Sequence, residues 1–207
     1  MRNTVKYLIF LIIYLACGGN LQAQNYTFRN VVMSDGLSGL LVNTIYKDSE
    51  GFVWLGTDNC LDRFDGVKVR HFEFRGIESG RKKRVNSVTE TASKQLWVGN
   101  GIGLWRLNRT NSQLERIVPE KIDFAVNTLL ANEDVLYIGT EKGLFIHKDG
   151  QLLQVLTDRN MLAACNRIMD ICLNEDKTVL WLATVQGLFS YSLKDGKIDS
   201  WHFQENV

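Results

Sequence analysis

Apolar residues along this chain fall in short runs separated by polar turns, and one run returns at a regular interval. Val53-Trp54-Leu55-Gly56-Thr57 recurs as Leu96-Trp97-Val98-Gly99-Asn100, as Leu136-Tyr137-Ile138-Gly139-Thr140 and as Leu180-Trp181-Leu182-Ala183-Thr184. The aromatic positions 54, 97, 137 and 181 are 43, 40 and 44 residues apart. Upstream of each run lies an apolar stretch carrying an Asn: Val42-Asn43-Thr44-Ile45, Val85-Asn86-Ser87-Val88, Val126-Asn127-Thr128-Leu129 and Cys165-Asn166-Arg167-Ile168. Downstream comes a closing pair: Cys60-Leu61, Gly103-Leu104, Gly143-Leu144 and Gly187-Leu188. In the first copy, Val67, Val69, His71 and Glu73 then alternate with Lys68, Arg70, Phe72 and Phe74, the period of an outer strand.

A repeat of about 40–45 residues, each copy holding several short strands, is the signature of a β-propeller blade. The expected fold is therefore all-β, with about four four-stranded blades over residues 40–80, 83–122, 124–162 and 165–204. Turn chemistry agrees with this division. Asp48-Ser49-Glu50-Gly51 separates the first two strands of copy one, and Asp65-Gly66 is a hairpin signal that returns as Asp149-Gly150 and Asp195-Gly196. Copy two departs with Asn108-Arg109-Thr110-Asn111. The anchors Trp54, Trp97, Tyr137 and Trp181 sit at one phase of every copy, which predicts packing between blades in preference to sugar stacking. Gly56, Gly99 and Gly139 read as close backbone approaches between sheets, and Gly187 as part of the closing pair.

The N-terminus follows a different pattern. Basic Arg2 and Lys6 precede an apolar run from Tyr7 to Cys17, and Ala23 offers a small residue for cleavage. Residues 1–23 read as a secretory signal peptide, since the run is too short to cross a bilayer. Lipoprotein processing at Cys17 is the alternative, disfavoured by the bulky Leu15. Residues 24–39 are expected to hold an N-terminal strand, over Tyr26 to Val32.

Charge and cysteine content narrow the function. With 24 Lys and Arg against 23 Asp and Glu, nothing favours a nucleic-acid partner. Beyond the leader only Cys60, Cys165 and Cys172 remain, an odd number that argues against a disulfide framework. Whether Cys165 and Cys172 pair depends on a spacing that the sequence does not reveal. His71, His147 and His202 are far apart and read as strand residues, so neither a metal site nor a cofactor is expected. Recurrent Asp48, Asp65, Asp149 and Asp195 fall at turns, and no acid–base pair stands out. Ligand contacts are expected on the loops of one rim: Asp58, Asn59, Arg81, Arg84, Asn100, Glu141, Lys142 and Gln186. Arg81 and Arg84 would suit a sulfated or uronic glycan.

The ordered set Ser34-Asp35-Gly36-Leu37-Ser38, Val42-Asn43-Thr44-Ile45, Asp48 to Thr57 and Leu61-Asp62-Arg63-Phe64-Asp65-Gly66 resembles the opening of a two-component regulator propeller. Cys60 departs from it, standing where that family usually has Gly. The resemblance covers residues 25–207. It implies a non-catalytic periplasmic sensor of a Bacteroidetes hybrid two-component histidine kinase, with the four blades part of a seven-bladed ring. It further implies an oligosaccharide ligand, a homodimer in the full-length context and anchoring in the inner membrane. Signals would pass by phosphorelay to transcription of polysaccharide-use genes. The chain is then expected to be a truncated N-terminal part, without the kinase. The alternatives are a propeller lyase or glycosidase acting on polysaccharide, and a non-functional truncated product.

Overall fold

The computed structural model describes residues 6–7, 28, 30–77, 83–117, 124–155 and 167–201. The chain divides into a unit of residues 1–30 and a unit of residues 31–207. In the first, Lys6 and Tyr7 are helical, and the expected leader otherwise lies outside the described residues. Among the described residues no helix is long and apolar enough to cross a membrane.

The second unit is four antiparallel four-stranded sheets, each a meander in chain order. The first blade holds β1 (Val42–Lys47), β2 (Val53–Thr57), β3 (Leu61–Phe64) and β4 (Val69–Phe72). The second holds β5 (Val85–Glu90), β6 (Leu96–Asn100), β7 (Gly103–Asn108) and β8 (Gln113–Ile117). The third holds β9 (Val126–Asn132), β10 (Val135–Thr140), β11 (Gly143–Lys148) and β12 (Gln151–Gln154). The fourth holds β13 (Ile168–Leu173), β14 (Val179–Thr184), β15 (Gly187–Ser192) and β16 (Ile198–Trp201). One 3-10 turn, Met33–Asp35, precedes them. Of the expected N-terminal strand, the described residues Phe28 and Asn30 to Val32 are not in strand conformation, and the others lie outside the described residues.

Local side chains explain where the strands stop. Asp48 Oδ1 accepts from the Glu50 and Phe52 amides at 3.1 and 2.9 Å, closing the turn into β2. Asp65 Oδ1 accepts from the Val67 and Lys68 amides at 2.8 and 2.7 Å. This Asx turn takes both amides out of the ladder, so the outer strand starts at Val69 instead of Val67. In copy two Asn108 does the same work, accepting from the Thr110 and Asn111 amides.

Strand one of each blade carries an irregularity that periodicity did not predict. The register slips at Asn43, Asn86 and Asn127, between Val42/Thr44, Val85/Ser87 and Val126/Thr128. A bulge re-aims the side chain it carries. Asn86 Nδ2 reaches the Val126 carbonyl of the next blade at 2.8 Å, and Asn127 Nδ2 reaches that of Ile168 at 2.8 Å. In the fourth blade the slip lies between Ile168 and Asp170. Ile168 pairs with Thr184 as Val42 does with Thr57. The structural counterpart of Val42-Asn43-Thr44-Ile45 is therefore Ile168-Met169-Asp170-Ile171. The Asn-based match to Cys165-Asn166-Arg167-Ile168 is three residues early, and Cys165 and Asn166 lie outside the described residues.

Three apolar layers lie between the four blades. The first includes Trp54, Leu61, Val85, Val88 and Trp105, the second Trp97, Leu104, Val126, Leu129 and Phe145, the third Tyr137, Leu144, Ile168, Ile171 and Leu182. Each layer is made by strand-one residues pressed on the Gly position of the preceding blade. A Cβ on Gly56 would lie 2.5 Å from Val85 Cγ1, and one on Gly99 would lie 2.5 Å from Val126 Cγ1. Trp54, Trp97 and Tyr137 are buried, whereas Trp181 is half-buried. No described blade covers the outer side of β14, where Ala183 is exposed. On the opposite end Ile45 is 69% exposed, whereas its counterparts Val88, Leu129 and Ile171 are buried.

His147 packs on Trp97, with ring centroids 4.8 Å apart. Burial pushes the His147 pKa below its ordinary value, and Arg106 adds to the effect. The unfolded chain therefore binds its proton more readily, and stability falls as pH drops through and below about 6.5. Urea midpoints taken between about pH 7.5 and pH 5.5 are expected to fall. They should fall less steeply in His147→Gln; equal slopes in both proteins would contradict this assignment.

Candidate functional site

The innermost strands β1, β5, β9 and β13 follow one another around the blades, each against the next. Where these strands begin, they and the strand-two turns surround a cavity of about 350 Å³. The bulged Asn43, Asn86 and Asn127 lie along it, with Met169 in the fourth position. Charge comes from Arg84, Glu141 and Arg167. Arg167 Nη2 stands 3.9 Å from Glu141 Oε1, both side chains about half exposed. The Gly101 amide bonds to the Arg84 carbonyl at 3.2 Å, and the Val185 amide to that of Arg167 at 3.3 Å. These bonds tie the turns to the strand starts and fix the backbone carrying the charged groups. Asn43 Nδ2 is buried and has no partner, although Asn86 and Asn127 spend theirs on the next blade. The cavity wall thus holds three Asn side chains, of which only Asn43 has an uncommitted amide nitrogen, with two guanidinium groups and one carboxylate.

Of the rim residues expected from sequence, Arg84 and Glu141 meet here. Asn59 does not: its Nδ2 donates to the Ser38 carbonyl at 2.7 Å, beside a second cavity. Asp58 is exposed near Gly39, Gln186 is exposed in the β14–β15 turn, and Lys142 Nζ lies 5.1 Å above the Phe124 ring. Arg81 lies outside the described residues. Asn100 corrects the expectation. It is fully buried, and its Oδ1 accepts from the Ile102 amide at 3.0 Å and Trp105 Nε1 at 3.2 Å. It braces its turn and presents nothing to a ligand. The periodic Asn residues were visible in the repeat but read as strand positions; only the bulge turns them to the cavity.

The second cavity, about 300 Å³, adjoins Ser38, Cys60, His71 and Glu73. Asp62 is completely buried beside it and receives both the Ser38 amide and the Ser38 hydroxyl on Oδ2 at 2.8 Å. Its Oδ1 lies 2.7 Å from His71 Nδ1 and 3.3 Å from Cys60 Sγ. Burial pushes the Cys60 thiol up to about 12, helped by the negative charge of Asp62.

The fold and its repeats place the protein among β-propellers. Residues 36–59 match the two component regulator propeller family, so the chain carries a two-component regulator propeller segment. Over 66 residues it is 36% identical to Histidine kinase P4 of Formosa agariphila, a stretch that is 32% of this chain and 5% of that protein. It is similar to the extracellular domains of two putative hybrid two-component systems from B. thetaiotaomicron. The first aligns with TM-score 0.66 and 25% identity over 80% of this chain and 23% of that one. The second aligns with TM-score 0.68 and 20% identity over 84% and 26%. Virginiamycin B lyase from Staphylococcus aureus shares the fold, with TM-score 0.62 and 13% identity over 78% of this chain and 55% of that one. The chain spans about a quarter of the two extracellular domains and about a twentieth of the kinase.

Proposed function

We propose that this chain is part of an exported, non-catalytic sensor propeller of a hybrid two-component histidine kinase, and that it recognises an anionic saccharide at the axial cavity. The observation that carries the ligand class is the cavity wall: repeated Asn side chains with Arg84 and Arg167 around one carboxylate. Amides match sugar hydroxyls, and guanidinium groups match sulfate or uronate oxygens in a bidentate manner. The likeness to extracellular domains of hybrid two-component systems supports a periplasmic sensor role. Binding would signal only by favouring one of two arrangements of the whole receptor, since equal affinity for both shifts nothing. Homodimerisation and control of polysaccharide-use genes belong to the same proposal and to the whole protein.

Calorimetric titration of the purified chain with neutral, uronic and sulfated oligosaccharides tests this reading. Acidic sugars are expected to bind, with affinity falling as salt rises. Arg84→Ala and Arg167→Ala should each weaken binding about ten-fold or more, the usual cost of losing a charged hydrogen bond. Equal binding of neutral and acidic sugars would refute the guanidinium role. Appearance of cleaved product would replace the sensor with an enzyme.

A further inference from the structure

In three blades the position after the strand-two turn is Gly103, Gly143 and Gly187, each at positive φ. The first blade has Cys60 there, and its backbone is not in that region. Two residues on, the register aligns Asp62 with Trp105, Phe145 and Phe189. Trp105 and Phe145 fill the core, so the first blade buries a carboxylate where its neighbours bury an aromatic ring. Opposite Asp62 on β4 stands His71, where β8 has Arg116, β12 has Gln154 and β16 has Ser200. Three departures from the repeat therefore converge on one point. A buried charge is costly unless it is paired or coordinates a metal.

We propose that Cys60 Sγ, Asp62 Oδ1 and His71 Nδ1 bind one divalent transition-metal ion of the zinc class. The three atoms lie within 4.8 Å of one another. Tetrahedral zinc with bonds of about 2.0–2.3 Å sets its ligand atoms about 3.3–3.6 Å apart. Sγ and Oδ1 already stand 3.3 Å apart. The 2.7 Å between Nδ1 and Oδ1 must open by about 0.6 Å or slightly more to reach that spacing, which the part-exposed His71 ring allows by rotating. A thiolate and an imidazole with one carboxylate form a donor set for zinc and against calcium or magnesium. Asp62 is oriented as metal-bound carboxylates usually are, its other oxygen held by the Ser38 amide and hydroxyl. Ser38 Oγ in turn lies 2.9 Å from Thr57 Oγ1. Cys60 and His71 line the 300 Å³ cavity, whose wall also includes Glu73 and Lys83, and water from it would supply the fourth ligand. On binding, the Cys60 thiol proton leaves to solvent and the thiolate takes the metal. The ion would tie β3 and β4 to the segment at Ser38.

Cobalt(II) titration of the full chain is the test, because a thiolate ligand gives a sulfur-to-cobalt charge-transfer band in the near ultraviolet. One equivalent is expected to bind, with that band present and zinc displacing cobalt. Cys60→Ser should abolish the band, and Cys172→Ser, which removes the exposed thiol among the described residues, should leave it intact. His71→Gln, at a side chain that is 46% exposed, should keep the band but weaken binding about ten-fold or more. A band that survives Cys60→Ser, or that the unmodified chain never shows, overturns the proposal. So does unchanged affinity in His71→Gln.

Discussion

Trp54→Ala is expected to lower the unfolding free energy by about 3–5 kcal/mol, the range for emptying a large aromatic from a core. Trp54 is fully buried between the first two blades and lies 5.1 Å from the Phe72 ring, centroid to centroid. Its Nε1 donates to Asp48 Oδ2 at 2.8 Å, and Asp48 is itself 4% exposed. The substitution therefore opens a cavity and also leaves a buried carboxylate oxygen without that donor. A domain of ordinary stability holds about 5–15 kcal/mol, so roughly a fifth or more of it would go. Trp54→Phe separates the two effects: it keeps most of the volume and should cost about 1–3 kcal/mol, the penalty for an unsatisfied buried group. In a cycle with Asp48→Ala, the Phe substitution should cost markedly less once the carboxylate is gone. Urea unfolding of the unmodified protein and of each variant checks this. An unchanged midpoint in Trp54→Ala would show that the ring is not core.

Gly139→Val is expected to destabilise by about 3 kcal/mol, at the upper end of the usual cost of overpacking. A Cβ at Gly139 would sit 2.6 Å from Thr128 Cγ2 and 2.8 Å from Ile168 Cγ2, with Ile171 Cδ1 at 3.1 Å. Thr128 and Ile168 are β-branched and stiff, so neither can turn aside. The third and fourth blades must then separate, and the layer they share loses contact along its length. Ala183 supplies the internal comparison. It pairs with Leu188 as Gly139 pairs with Leu144, yet it is exposed. Ala183→Gly should cost no more than about 1 kcal/mol, the backbone-entropy term alone. Thermal unfolding of both variants tests the contrast. Equal shifts in the two would mean that blade contact does not set the requirement for glycine.

The architecture was legible in the sequence because its determinants are local. A strand buried on both faces reads as a continuous apolar run, and a turn reads as Asp with Gly, so four blades follow from the spacing of 54, 97, 137 and 181. The same local chemistry shortened the outer strand, since Asp65 captures two amides that periodicity had assigned to the ladder. What pattern could not supply was anything set by pairing between strands or between blades. The bulges that aim Asn43, Asn86 and Asn127 exist only in the register of strand one against strand two. The fourth copy was placed three residues early because an Asn outweighed the pairing of Ile168 with Thr184. Asn100 looked like a rim residue until Trp105 and Ile102 claimed its oxygen. Cys60, Asp62 and His71 looked unrelated until the β3–β4 hairpin set Asp62 opposite His71. Hydropathy and turn residues thus determined which elements form, whereas the closing of strands and blades on one another decided which side chains face a cavity, a core or each other.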